Sequence, residues 1–222
     1  MVADRNEQVH LYVDLANIWS GVKDAAAQAG ESTWGVRLSA ENLRSVMAAG
    51  RDVLSTTLVA NIGVPEPVRR HFEHCFQVST VDFGATFGKE QAADEVLQIQ
   101  MLLNLFRYEP GVVVVATGDG AGWARGRGFT QALIAARRCG FGIEVVAFRS
   151  GLNPRLRLLA ENSGCLVELD AHYRAITFLE GLRFPEAVSL RHRPTAEPHP
   201  WTSEEAAAVR QIFGFAPEGR AA

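Results

Sequence analysis

The chain has 222 residues, 47% of them hydrophobic and 21% charged, a balance that fits one folded domain with an appendage and excludes the disordered and fibrous classes. Its net charge of -3 supplies no overall basic field, so any binding of nucleic acid must rest on a local patch. The first residues lack the basic start and unbroken apolar core of a secretory signal, and no segment approaches the roughly 18 apolar residues that span a bilayer, so the expectation is a cytoplasmic protein.

Strand and helix patterns alternate along the first 170 residues, as in a mainly parallel sheet covered by helices on both sides. In chain order, the pattern predicts a strand over 9–13, helices over 18–29 and 40–48, a strand over 53–60, a helix over 65–75 and a strand over 76–81. A helix over 92–106 follows, then a strand over 112–117, a helix over 129–139, a strand over 143–148, a helix over 154–161 and a short strand over 165–168. The run VVVVATG is apolar almost throughout, as a strand covered on both faces is, and is expected at the middle of the sheet. The predicted fold is a three-layer α/β/α domain over 1–170.

After Asp170 the pattern changes. Residues 171–222 read as an extension with a proline-rich linker, and Thr202 with Glu205 forms a capping box ahead of a short terminal helix. That helix could pack on the domain or join two copies into a homodimer. Cys75, Cys139 and Cys165 form no CxxC pair and are read as reduced core thiols. His71 and His74 lie three apart on a predicted helix and, without a second ligand pair, are assigned a surface or interface role.

In open parallel sheets, ligands bind beyond the carboxyl ends of the strands. Asp14 ends the first strand in LYVDLAN, Asp119 follows the central strand in VVVVATGDG, and Asp94 opens the helix QAADEVLQIQMLLNLF. Asp94, Leu97, Met101 and Leu105 recur at helical spacing, which places Asp94 at the end of the stripe facing the sheet. Three converging carboxylates repel one another unless a cation neutralises them, and hard oxygen ligands select magnesium or manganese. Taken singly, each of these aspartates also suits a helix cap or a first helical turn.

These segments carry a resemblance. VDLAN is similar to the VDxxN opening of NYN domains, QAADEVL to their second acidic motif, and VVVVATGDGAGW to their apolar strand ending in SGDxDF. The segment VVAFRSGLNPRLRLLAENSGCLVELD resembles their terminal strand, helix and strand. The resemblance implies a PIN-like fold and metal-dependent cleavage of RNA within the chain, with Asp14, Asn17, Asp94 and Asp119 as catalytic residues. Asp14, Asp94 and Asp119 would be the metal ligands, for Mg2+ or Mn2+. The chain departs from the pattern at Ala121, where the family carries another Asp, at Thr117 in place of Ser, and at Gln91 in place of Lys. A catalytically silent module that binds RNA or a protein partner is therefore the alternative.

For the substrate, Thr117 ends the central strand, Arg125 and Arg127 follow it, and Arg149, Arg155 and Arg157 follow the next one; arginine forks suit phosphate. Trp123 and Phe129 are candidates to stack on an unpaired base. Two other readings fall away. Trp123 stands where a dinucleotide fingerprint needs its third glycine, and Ala16 stands where aspartyl-phosphate chemistry needs a second Asp.

Overall fold

The computed structural model describes residues 8–60, 64–78, 81–82, 91–119 and 128–188. Six strands form one parallel sheet: β1 (Gln8–Asp14), β3 (Asp52–Ala60), β4 (Val81–Asp82), β5 (Val112–Ala116), β6 (Gly142–Ala147) and β7 (Cys165–Glu168). Their spatial order is β4-β3-β1-β5-β6-β7. From β1 the chain steps outward to β3 and β4, then crosses back to the far side of β1 and steps outward again through β5, β6 and β7. β1 and β5 are therefore neighbours whose connections depart in opposite directions.

Because crossovers between parallel strands are right-handed, that reversal puts the helices of the two halves on opposite faces. Helices α1 (Leu15–Gln28), α2 (Ala40–Ala48) and α3 (Glu66–Phe76) bury Leu15, Ile18, Leu43, Met47 and Phe72 against Val9, Leu11 and Val13 of β1. Helices α4 (Gln91–Arg107), α5 (Phe129–Arg138) and α6 (Pro154–Ser163) bury Leu97, Met101, Leu133 and Leu156 on the other face, with Tyr12, Val113 and Val115. The period-2 alternation of β1 and β5 between the two cores is what makes their sequence apolar throughout. The fold is thus the three-layer α/β/α arrangement that the alternating pattern predicts.

Some boundaries differ from the sequence reading. Helix α1 starts at Leu15, directly after β1, because Asp14 caps it. Helix α3 runs through Phe76, so the strand predicted over 76–81 begins later, and among the described residues there Val81–Asp82 pair as a strand. Phe72 and Phe76 stack four residues apart with their rings 5.7 Å apart, a helical contact that a run of apolar residues does not distinguish from a strand.

The folded body also continues past Asp170. Helix α7 (Tyr173–Ile176) leads into β8 (Thr177–Leu179), which pairs antiparallel with β2 (Val36–Leu38). Ile176 is wholly buried. The Tyr173 hydroxyl donates to Glu31 Oε2 at 2.6 Å, and Arg183 reaches the same oxygen at 3.0 Å. The terminal helix expected from Thr202 lies outside the described residues. Among the described residues, no helix is long and apolar enough to cross a membrane.

Candidate functional site

Asp14 is the last residue of β1 and the N-cap of α1. Its Oδ1 accepts the Asn17 backbone N–H at 3.0 Å, which satisfies one of the orphan donors of the helix. Its Oδ2 lies 3.5 Å from the Thr117 hydroxyl, just beyond the end of β5. Asn17 reaches across in return, its Oδ1 accepting the Gly118 N–H at 2.7 Å. The Thr117 hydroxyl accepts the Asp119 N–H at 3.1 Å. Three side chains, Asp14, Asn17 and Thr117, and the backbone of Gly118 and Asp119 are thus tied into one unit at the carboxyl edge, at the point where the strand order reverses.

A third segment fixes that unit from outside. The Asn153 N–H donates to the Gly118 carbonyl at 2.8 Å, and the Asn153 side chain caps α6 by accepting the Arg155 N–H at 2.9 Å. A Cβ on Gly118 would stand 2.4 Å from the Gly151 carbonyl oxygen. Only glycine lets the two backbones approach so closely.

The electrostatics of Asp14 are unusual for a capping residue. Burial, and then the neighbouring Asp119 charge, push its pKa up to about 6, against the pull of the Asn17 and Ala16 N–H groups and the Thr117 hydroxyl. Among the described residues, no Lys, Arg or His forms an ion pair with it. A carboxylate that is desolvated, pressed by a like charge and given no cation of its own has a reason to take one up. The donors Asp14 and Asp119 offer oxygen only, which fits a hard divalent ion such as magnesium or manganese rather than a thiophilic one.

The remaining expected site residues divide three ways. Thr117 is fully buried, so its hydroxyl works on Asp14 and the Asp119 backbone rather than on a substrate. Asn17 holds the Gly118 loop. Asp94 lies in the opening turn of α4, on a helix whose Leu97, Met101 and Leu105 are buried in the core as its stripe predicts; the Asp94 side chain lies outside the described residues.

Arg149 and Arg157 are engaged by Glu168 of β7, at 2.5 and 2.9 Å, and Arg157 also by Glu161 at 3.2 Å. The Arg149 N–H donates to Asp170 at 2.7 Å. These acids neutralise part of the expected basic patch. Arg155 is exposed at the start of α6. Phe129 is wholly buried in the core, so it cannot stack on a base. Ala121, Trp123, Arg125 and Arg127 lie outside the described residues.

Sequence reasoning did not anticipate Gly118 and Asn153 as the parts that lock the loop. The signal available was the Asn-Pro pair at 153–154, which opens α6 with a side-chain cap and a proline in its first turn. In comparisons with known proteins, the chain matches no family model, no curated protein and no solved structure.

Proposed function

We propose that the chain is a metal-dependent ribonuclease of the NYN type, cleaving phosphodiester bonds within RNA at the carboxyl edge between β1 and β5. The observation that carries the reading is Asp14, a buried carboxylate beside Asp119, with no paired cation among the described residues, at the switch point of a parallel sheet. The motif resemblance supplies the reaction class. The geometry supplies a physical reason for a cation there.

In this reading Asp14 and Asp119 hold the ion, with Asp94 as a third oxygen donor. Bound magnesium or manganese supplies charge neutralisation on the phosphoryl oxygens and activation of the attacking water. The residues of the chain do the positioning. Asp14 is fixed by the first turn of α1, and Asn17 holds Gly118 so that Asp119 follows in a set direction. The Thr117 hydroxyl links the two acids. Arg155, with Arg125 and Arg127, is the candidate cation set for flanking phosphates.

The test is cleavage of single-stranded and structured RNA by the purified full chain with magnesium or manganese, beside Asp14→Asn and Asp119→Asn. The reading predicts cleavage that a chelator abolishes and that falls at least about a hundredfold in either variant, since even residues that only orient metal ligands are worth 10–100-fold. RNA binding without turnover, in wild type and variants alike, would contradict it and favour the silent binding module that Ala121 suggests.

A further inference from the structure

We propose that Glu41, His71 and Cys75 form a transition-metal site suited to zinc, which staples α2 to α3. Glu41 lies in the first turn of α2, and His71 and Cys75 lie four residues apart on α3, a spacing that puts both on one helix face. The two helices pack together. Their side chains bring one carboxylate oxygen, one imidazole nitrogen and one sulfur within 4.8 Å of one another.

The separations match what a tetrahedral ion needs. Zinc bonds of about 2.0 Å to nitrogen or oxygen and about 2.3 Å to sulfur place neighbouring ligands about 3.3–3.6 Å apart. Here Cys75 Sγ lies 3.2 Å from Glu41 Oε1, His71 Nε2 lies 3.5 Å from Glu41 Oε2, and Cys75 Sγ lies 3.8–3.9 Å from the His71 ring nitrogens. Each gap differs from the ideal by a few tenths of an ångström, with Glu41 facing Cys75 through Oε1 and His71 through Oε2, so the carboxylate turns to present one oxygen to the ion.

The chemistry of the set also separates it from the carboxyl-edge site. A thiolate and an imidazole select zinc and its neighbours over magnesium, whereas the Asp14 site offers oxygen alone. On binding, the Cys75 S–H gives its proton to solvent, and the thiolate and the Glu41 carboxylate together balance the two positive charges of the ion while His71 stays neutral. The fourth position opens to solvent, because Glu41 and His71 are exposed. Buried Ser39 stands 3.4 Å from Glu41 Oε2 and orients that carboxylate from behind. The sequence hid the site because local spacing suggested His71 with His74, whereas the pair that meets is His71 with Cys75, and the third ligand comes from another helix.

The full chain, freed of metal with a chelator, is titrated with cobalt as a spectroscopic stand-in for zinc. The expected result is one equivalent bound with a sulfur-to-cobalt charge-transfer band, bleached when zinc is added, and a melting temperature raised by zinc. Cys75→Ser should abolish the band. His71→Gln and Glu41→Gln, both at exposed side chains, should weaken binding at least about tenfold. Asp14→Asn should leave the band unchanged, so this proposal and the nuclease reading fail separately. Cobalt binding without the sulfur band, a band that survives Cys75→Ser, or affinities unchanged in His71→Gln and Glu41→Gln would overturn it and leave a hydrogen-bonded surface cluster only.

Discussion

Among the described residues, two carboxylates are buried in this sheet, one toward each edge, and they are treated differently. Glu144, near the amino end of β6, has no exposure, and Arg51 holds it through both guanidinium nitrogens at 2.7 and 2.9 Å. Arg51 is itself anchored, its Nε donating to the Ala48 carbonyl at 2.9 Å. Asp14, at the carboxyl end of β1, is nearly as buried, yet its partners are two backbone N–H groups, a distant hydroxyl and a neighbour of like charge. The amino edge has its charge matched within the chain. Among the described residues, no cation of the chain pairs with Asp14 at the carboxyl edge, and strongly perturbed groups of this kind concentrate at functional sites.

The largest expected effect breaks the matched end. Arg51→Met strands the Glu144 charge in the core, and loss of one partner of a buried pair costs about 3–5 kcal/mol. Urea unfolding should show the unfolding free energy falling by that amount, through a lower midpoint at unchanged slope. If stability barely moves, Glu144 is not held by its pairing, and the contrast between the edges fails.

At the other end the first prediction is steric. Gly118→Ala drives a methyl group against the Gly151 carbonyl, and overpacking of that kind costs about 1–3 kcal/mol. The variant should lose divalent-ion binding as well as stability, because the displaced loop carries Thr117 and Asp119. Retained ion binding in a destabilised variant would show that the loop need not be preassembled.

Asp14→Asn should act with the opposite sign to Arg51→Met. The folded protein holds the Asp14 proton up to about pH 6, whereas the unfolded chain loses it near the ordinary value of 3.8. In the metal-free protein, stability should therefore fall as pH rises from about 4 to about 6 and stay level above. Asparagine keeps a capping oxygen and removes the charge, so the variant should gain about 1–3 kcal/mol at pH 7 and lose that part of the pH dependence. Melts across this pH range check both signs, and a variant less stable than wild type at pH 7 would mean that Asp14 is a structural cap first.

Legibility in the sequence followed the range of the interactions. The acids at the ends of β1 and β5 and the Leu97–Met101–Leu105 stripe of α4 were readable because period and position along one segment define them. Arg51 and Glu144, 93 residues apart, carry no local signal that they meet. The same holds for Asn17 with Gly118 and for Glu41 with the α3 pair. The β2–β8 ribbon escaped because strands of three residues are too short to display a period, and Glu168 was overlooked because an acid on an edge strand looks like any solvated charge.

Manganese titration of the metal-free full chain, followed by the loss of the free-ion paramagnetic signal, tests the central claim most directly. The account predicts saturable binding that magnesium competes away and that Asp14→Asn and Asp119→Asn each remove while both variants stay folded. Binding of equal strength in wild type and Asp14→Asn would contradict it, because the unmatched charge at the carboxyl edge would then have no ion to hold.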